Sequence, residues 1–181
     1  MTVKETKLKG CFILEPKVFE DSRGYFFESF NKETFNKLIG ENISFIQDNE
    51  SYSSKGVLRG LHYQTGKYAQ AKLVRVIKGK VLDIAVDIRK DSPTFGEHIS
   101  LELSEDNKQQ LLIPRGFAHG FIVLSDTAIF SYKCDNFYNK QSEGGIIYND
   151  KDLNIDWGLN EKEFIISEKD LQLPNLKEAV L

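Results

Sequence analysis

The stretch Gly56–Gln64 reads GVLRGLHYQ, and the stretch Gln70–Val76, QAKLVRV, follows it closely. Both have the aliphatic character of core strands, yet they carry Arg59, His62 and Lys72. Polar groups inside a strand are costly unless they are paired or used. Two interpretations follow. In the first, His62 is structural and the side chains of Arg59 and Lys72 reach solvent. In the second, a basic histidine and two cations face an anionic ligand inside a barrel.

The glycines of the first stretch bear on this choice. Gly56 and Gly60 leave room for a bend or for a ligand to approach the backbone. In a regular strand Arg59 and His62 would face opposite sides of the sheet, because side chains alternate. If both residues line one pocket, the sequence predicts a bulge or bend at Gly60.

Length and composition are those of a globular protein. A chain of 181 residues can form one domain with a real core. The formal net charge of -3 gives no reason to expect nucleic acid or an anionic membrane as a partner. Met1–Lys7 is charged and lacks the apolar region of a signal peptide, and no apolar run reaches transmembrane length. Cys11 and Cys134 are too few for a disulfide framework, so we expect a cytoplasmic protein with reduced thiols.

Short apolar runs divided by turn signals predict a mostly β protein. Residues 11–16 and 24–30 have the pattern of strands. The best helix candidate is Lys32–Ile39, with Asn31 as its N-cap and Gly40 at its end. Many short strands after a single early helix favour an antiparallel sandwich or barrel.

Two of the predicted strands are apolar on both faces. The runs Leu73–Ile77 and Val81–Ile88 are joined by a Lys-Gly-Lys turn, which predicts a hairpin. Their exceptions are Arg75, Asp83 and Asp87. A sheet that needs cover on both sides implies either a double-layered barrel or burial against a second subunit.

The histidines do not form a recognisable metal motif. A mononuclear site in a β-barrel needs three or four histidine or carboxylate ligands gathered together. His62 is followed by Tyr63 and Gln64, so there is no His-x-His pair. His98 lies at a polar strand start, where we expect a surface role. The ligand count therefore predicts no metal.

Three further residues allow a structural and a functional interpretation. His119, in the segment Pro114–Phe121, is either a core histidine that holds a turn or a ligand contact. Asp170 follows Ser167 at capping spacing, or it orients a histidine and stabilises the imidazolium. Tyr132 is either a half-buried strand aromatic or a proton donor.

Taken together, these motifs resemble one family, the dTDP-4-dehydrorhamnose 3,5-epimerases, from about residue 10 to residue 175. The matching stretches are Asp21–Gly24, Gln47–Asn49, Gly56–His62, Gln70–Val76, Ser92–Gly96, Pro114–Phe121, Tyr132–Lys133 and Ser167–Asp170. The resemblance implies an all-β fold, a cupin-type double-stranded β-helix (jelly roll) with a few short helices, as a single domain over residues 1–181. It also implies a homodimer with strands exchanged across the interface. Pro114–His119 resembles the second cupin motif, while the metal-binding first motif is missing, as in this metal-free family.

The resemblance also implies residue roles. His62 becomes the general base and Asp170 its partner, Tyr132 the acid on the other face of the sugar, and Lys72 the cation that stabilises the oxygen at C4. Arg23, Arg59 and Lys169 become nucleotide and phosphate contacts, and Tyr138 the tyrosine that stacks on the base. The rest of the implied ligand-binding set is Glu28, Gln47, Asp48, Asn49, His119 and Glu143.

The implied activity is metal-independent and needs no cofactor. It epimerises dTDP-4-dehydro-6-deoxy-D-glucose at C3 and C5 to give dTDP-4-dehydro-L-rhamnose. The C4 ketone acidifies the hydrogens at both carbons, because each carbanion is an enolate. Such chemistry needs a base on one face, a donor on the other, and positive charge at the oxyanion. Since arginines suit a diphosphate, we expect Arg23, Arg59 and Lys72 to gather around one diphosphate pocket.

Three alternatives stay open at this point. Relatives of the same fold invert only C3 or only C5, or use other nucleotide-4-keto-sugars. A non-catalytic nucleotide-sugar binding protein is the second, and the intact His62, Tyr132 and Asp170 argue against it. The third, a metal-dependent cupin oxygenase, fails on ligand count. The expected partners are a dTDP-4-keto-6-deoxyhexose and a second copy of the chain, with no nucleic acid and no membrane.

Overall fold

Two antiparallel β-sheets face each other in the computed structural model, which describes residues 1–181. The strands are β1 (Thr2–Glu5), β2 (Phe12–Glu15), β3 (Phe19–Asp21), β4 (Gly24–Phe26), β5 (Gln47–Ser54), β6 (Val57–Gln64), β7 (Lys72–Lys78), β8 (Lys80–Asp87), β9 (His98–Ser104), β10 (Gln110–Ile113), β11 (Phe117–Val123), β12 (Thr127–Cys134), β13 (Glu143–Gly145) and β14 (Ile165–Ile166). The helices are α1 (Lys32–Ile39) and α2 (Glu168–Leu171), with single 3₁₀ turns at Gly66–Tyr68, Lys140–Ser142, Glu161–Glu163 and Leu176–Glu178.

The strand order confirms the predicted all-β, cupin-like jelly roll with a few short helices. The first sheet has the order β1-β2-β10-β7-β12-β5. The second has the order β13-β6-β11-β8-β9, and β14 pairs with β6 in parallel. Strands β3 and β4 form a separate two-stranded hairpin. None of the helices is long and apolar enough to cross a membrane.

The predicted hairpin between residues 73–77 and 81–88 is wrong. Strand β7 pairs with β10 and β12 in the first sheet, whereas β8 pairs with β9 and β11 in the second. Gly79 turns the chain from one sheet to the other with a φ of +79°, and a Cβ there would collide with the carbonyl oxygen of Thr127. The turn lies where the sequence predicts it. The local sequence does not reveal that the strands on either side of the turn pair with distant strands rather than with each other.

The chain itself covers both faces of these strands. Between the sheets, Val76 of β7 packs in one core with Val81 and Ala85 of β8. The outer face of the second sheet is covered by residues of the C-terminal segment, among them Ile146, Leu153, Trp157 and Leu176. The outer face of the first sheet is covered by α1. Of the two predicted explanations, a double layer is therefore the one seen.

Helix α1 confirms its predicted bounds and caps. The Asn31 side chain accepts a hydrogen bond from the backbone N–H of Thr34, and Gly40 ends the helix in the left-handed conformation. Phe30 and Phe35 pack with ring centroids 5.6 Å apart. The strand predicted over 24–30 ends earlier, at Phe26, and Phe30 packs against the apolar residues of α1 instead.

Candidate active site

A cavity of about 540 Å³ lies between the two sheets. Arg59, His62 and His119 enter it from β6 and β11 of the second sheet. Lys72 and Tyr132 enter it from β7 and β12 of the first sheet. The sandwich therefore brings together polar side chains that lie far apart in sequence.

A β-bulge at Gly60 turns Arg59 and His62 into the same cavity, as predicted. His119 lies opposite His62 and Phe121 opposite Arg59, so β6 has one more residue than β11 across this interval. Gly60 has a φ of +120°. A Cβ there would come within 2.6 Å of the Gly120 Cα and 2.7 Å of the His119 oxygen, so the position requires glycine.

His62 forms a short hydrogen bond with Asp170. Its Nε2 lies 2.8 Å from Asp170 Oδ1, and the bulged Gly60 N–H donates to Oδ2 at 3.3 Å. Burial alone would raise the pKa of Asp170, but the hydrogen bond and charge of His62, with the Gly60 and Ser167 bonds, bring that pKa below its usual value. The predicted capping contact is also present, because Ser167 Oγ accepts from the Asp170 N–H at 3.1 Å, and the catalytic role of Asp170 remains a prediction.

Tyr132 and Lys72 make no side-chain hydrogen bond within the chain, although both line the cavity. Burial raises the pKa of Tyr132, so its hydroxyl keeps its proton at neutral pH. Burial lowers the pKa of Lys72, while the charges of Asp83 and Glu143 act in the opposite direction. The site thus contains a protonated hydroxyl and an amine that are both free to bind a ligand.

A second histidine–aspartate pair lies deeper in the same site. Nε2 of His119 lies 2.9 Å from Asp83 Oδ2, and the two side chains are 8% and 0% exposed. Burial lowers the pKa of His119, although Asp83 acts in the opposite direction. His119 therefore does not hold a turn through a backbone hydrogen bond, which was one of its two predicted roles. It lines the cavity, as its other predicted role of ligand contact requires.

A charged cluster forms the rim of the site beside His62. Glu143 accepts hydrogen bonds from the Tyr138 hydroxyl at 3.0 Å and from Lys169 Nζ at 2.7 Å. Burial alone would raise the pKa of Glu143, but these two bonds bring it below its usual value. An adjoining cavity of about 350 Å³ joins this rim to Gln47 and Asn49.

The inward face of β5 is polar along its whole length, and only part of it was among the predicted site residues. Gln47, Asn49, Ser51 and Ser53 alternate with more exposed residues. Ser53 Oγ accepts from Arg59 Nε at 3.1 Å, and Ser51 lines the main cavity. Because side chains alternate along a strand, the inward direction of Gln47 and Asn49 could have predicted that Ser51 and Ser53 face the same way.

Three predicted substrate-binding residues lie away from these cavities. Arg23 pairs with Asp21 on the exposed β3–β4 hairpin, and its side chain is 88% exposed. Glu28 accepts from the Asn31 side chain. Asp48 points to the outer face of β5 and pairs with Lys133. Within one chain, the expected gathering of Arg23 with Arg59 and Lys72 is therefore not found, because the hairpin that carries Arg23 extends away from the barrel core.

No three histidine, cysteine, aspartate or glutamate side chains converge in a way that could hold a metal ion. The two histidines of the site are each held by one aspartate instead. The predicted independence of metals remains a prediction, which metal analysis of the purified protein would test.

Comparison with known proteins agrees with the geometry. The family model for dTDP-4-dehydrorhamnose 3,5-epimerase matches residues 5–178. The enzyme of that name from Shigella flexneri is 54% identical over 171 residues, which cover 94% of this chain and 93% of the relative. The crystal structure of the enzyme from Elizabethkingia anophelis has 58% identity and a TM-score of 0.95, covering 98% of this chain and 97% of that one.

A third relative carries a ligand. The dTDP-6-deoxy-D-glucose-3,5-epimerase of Legionella pneumophila, solved in complex with dTDP-4-keto-L-rhamnose, is 48% identical with a TM-score of 0.94. The alignment covers 98% of this chain and 93% of that one. Sequence and fold match along nearly the whole length, and the chain belongs to the dTDP-4-dehydrorhamnose 3,5-epimerase family.

Proposed function

We propose that the chain converts dTDP-4-dehydro-6-deoxy-D-glucose into dTDP-4-dehydro-L-rhamnose by inverting C3 and C5. The observation that carries this proposal is the His62–Asp170 pair, which shares one cavity with the unpaired Tyr132 hydroxyl and Lys72 amine. The Legionella relative, whose structure holds dTDP-4-keto-L-rhamnose, supports the choice of sugar.

His62 is the general base. An ionised Asp170 can accept a hydrogen bond but cannot donate one. The neutral His62 ring therefore carries its proton on Nε2 and leaves Nδ1 with a free lone pair. Nδ1 takes the proton from the carbon next to the ketone, and the C–H electron pair moves into the C4 carbonyl. The Asp170 carboxylate stabilises the imidazolium that results.

Lys72 stabilises the enolate. Negative charge gathers on the C4 oxygen as the proton leaves, and an ammonium group in a partly buried site is worth more there than in water. The acidic groups that oppose the effect of burial on the Lys72 pKa help to keep that ammonium charged. Lys72 therefore acts in the transition state.

Tyr132 returns a proton from the opposite side. It stands on β12 of the first sheet, whereas His62 stands on β6 of the second, so a sugar between the sheets has one group on each face. The resulting tyrosinate regains its proton from water, and His62 loses the abstracted proton to water. The same sequence inverts the second carbon next to the ketone.

The remaining predicted residues bind the nucleotide. Arg59 and Lys169 offer positive charge to the diphosphate, and the exposed Tyr138 ring offers a stacking surface to the base. Gln47 and Asn49 supply amide groups from the adjoining cavity. We place this activity in the cytoplasm, with no cofactor, metal, membrane or nucleic acid, in one domain spanning residues 1–181.

We infer that a second copy of the chain supplies Arg23 and Glu28. The hairpin that carries Arg23 also exposes Phe19, Tyr25 and Phe26, which are 54%, 58% and 70% exposed. Exposed aromatic clusters of this kind mark interaction sites. A hairpin that reaches into a partner's site would bury them and bring Arg23 to the diphosphate.

Subunit mixing tests this part. His62→Ala and Arg23→Ala are both expected to be inactive as pure dimers. If Arg23 serves the partner's site, mixed dimers carry one intact site and activity returns on mixing. If Arg23 serves its own chain, or if the protein is a monomer by sedimentation, no activity returns.

Solvent deuterium tests the reaction itself. The wild-type protein is incubated with dTDP-4-dehydro-6-deoxy-D-glucose in heavy water, and the product is resolved by proton NMR. Since each returned proton comes from solvent, we expect deuterium at both C3 and C5 of an inverted sugar. Label at one carbon would indicate a single-site epimerase, and label at neither would remove the epimerase assignment.

A further inference from the structure

Only two buried side-chain polar atoms in the chain lack a hydrogen-bond partner, one on a residue that lines the cavity and one on the aspartate that pairs with His119. They are Ser51 Oγ and Asp83 Oδ1. Asp83 stands on the inward face of β8 between Val81 and Ala85, where its neighbours form the apolar core, and it is 0% exposed. An unpaired carboxylate oxygen in such a place opposes folding, so packing does not explain why an aspartate stands there.

The other oxygen of Asp83 fixes His119. Oδ2 lies 2.9 Å from His119 Nε2, and the imidazole stacks on the Phe130 ring at a centroid distance of 6.0 Å. One edge and one face of the ring are therefore held by the protein. Nδ1 makes no hydrogen bond within the chain, and His119 lines the cavity.

Three titratable side chains lie close enough to Asp83 for its charge to shift their pKa values. Lys72, from β7, is close enough for the Asp83 charge to raise its pKa against the effect of burial. From β11, His119 faces Asp83, whose charge raises the pKa of the imidazole against the lowering effect of burial. Burial and the same charge both raise the pKa of the Cys11 thiol, which lies in the segment before β2. A carboxylate only accepts hydrogen bonds, so the proton shared by Asp83 Oδ2 and His119 Nε2 belongs to the ring nitrogen.

We propose that Asp83 is a positioning residue, which holds His119 in the Nε2–H tautomer so that Nδ1 accepts a hydrogen bond from a sugar hydroxyl in the cavity. This inference rests on the proposed function, because it names what His119 does with that substrate. A neutral ring in the other tautomer would present an N–H to the cavity and leave Nε2 facing a carboxylate, with a lone pair against a negative charge. The buried aspartate thus selects the tautomer before the substrate arrives.

The tautomer can be read in the free protein by NMR. The chain has three histidines, so a long-range ¹H–¹⁵N spectrum of protein labelled at histidine contains three imidazole patterns, and His119→Gln identifies one of them. We expect His119 to be neutral at pH 7, with Nε2 protonated and Nδ1 unprotonated. A protonated Nδ1 in the wild-type protein would overturn the proposal without any reference to catalysis.

Asp83→Asn should release this selection, because an amide can donate to or accept from the ring. We expect the His119 pattern to change, and kcat/KM to fall about 10- to 100-fold, the usual range for one lost hydrogen bond to a substrate group. In a His119→Gln background the same substitution should lower kcat/KM by less than about threefold, because Asp83 acts through His119.

Asp150→Asn is the matched control. Asp150 is 3% exposed and accepts from the backbone N–H groups of Asp152, Leu153 and Leu176, away from the cavity. It should lose stability but keep both the His119 pattern and kcat/KM. An Asp83→Asn protein with an unchanged pattern and rate would refute the positioning role. An inactive wild-type protein would instead refute the proposed function, and if Asp83→Asn does not fold, the wild-type spectrum still decides.

Discussion

Two histidine–aspartate pairs stand side by side in this site and differ in what surrounds them. His62 and His119 occupy opposed positions on β6 and β11, and each places Nε2 within 2.9 Å of a carboxylate. The His62 side chain is 31% exposed, whereas that of His119 is 8% exposed. An accessible ring can exchange its proton with water after each turnover, and a buried ring is suited to holding one protonation state.

The two carboxylates differ in the same sense. Asp170 uses both oxygens, because it also accepts from Gly60, while Asp83 leaves one oxygen unpaired in the core. The first arrangement steadies a histidine whose charge changes during catalysis. The second fits the positioning role proposed for Asp83, in which an unpaired oxygen costs stability and the histidine is held in one tautomer. The proposed roles thus assign proton transfer to one pair and substrate recognition to the other, although the two pairs have similar geometry.

Replacing each histidine should separate the two roles most strongly. We expect His62→Ala to lower kcat about 10²–10⁴-fold, the range for a lost general base, while the affinity for dTDP stays within about threefold. His119→Ala should lower kcat/KM by only about 10- to 100-fold, because it removes one substrate hydrogen bond. Steady-state kinetics measure kcat and kcat/KM, and titration with dTDP measures the affinity. If the two variants lose kcat/KM equally, the two histidines do not differ in role as proposed.

Lys72 lines the same cavity as the two histidines, and its removal should have the next largest effect. Lys72→Met should lower kcat about 10²–10³-fold, as for one lost oxyanion contact.

Because burial lowers the pKa of Lys72 and raises that of Tyr132, the fall in rate at alkaline pH should come from Lys72. The alkaline limb of the pH–rate profile should persist in Tyr132→Phe and disappear in Lys72→Met. The opposite pattern would assign the limb to the tyrosine.

The bulge that sets the two histidines side by side can be disrupted through Gly60. Gly60→Ala should destabilise the fold by about 2–4 kcal/mol, because it adds a clash with Gly120 to the strain of a positive φ. Gly24→Ala is the control, since Gly24 has a φ of +125° and a Cβ there would meet no atom within 4 Å. Urea unfolding compares them, and equal losses would show that the close approach of β6 and β11 contributes nothing.

The smallest expected effect is on acid stability. The folded pKa of Asp170 lies below its usual value, so its ionised form adds stability at neutral pH, and this is lost as the pH falls through that lowered value. Asp170→Asn should therefore be less stable than wild type by about 1–2 kcal/mol at neutral pH. The difference should vanish in acid. Urea unfolding over a pH series measures it, and a difference that does not depend on pH would contradict the linkage.

Local features of the fold could be predicted from the sequence because their causes are local. Asn31 and Gly40 bound α1 through contacts within a few residues. The bulge at Gly60 followed from requiring Arg59 and His62 in one pocket. The hairpin predicted after β7 failed because strand pairing depends on residues far away in the chain.

The candidate site was predicted through the family resemblance and not through spacing. Asp170 is 108 residues from His62, and no periodicity links them. The pairing of Asp83 with His119 was missed, although an aspartate inside an apolar strand was a visible signal. Arg23 shows a different limit, because within one chain it lies exposed on a hairpin, and its predicted phosphate contact rests on the second copy that we propose.

The claim that His62 and Tyr132 act from opposite faces has one direct test. Tyr132→Phe keeps the ring but removes the donor, so His62 should still exchange the hydrogens next to the ketone while inversion slows far more than binding weakens. Incubated in heavy water, this variant should give recovered substrate that carries deuterium but keeps its configuration, as read by proton NMR. A variant that inverts C3 and C5 at the wild-type rate would contradict the two-face mechanism.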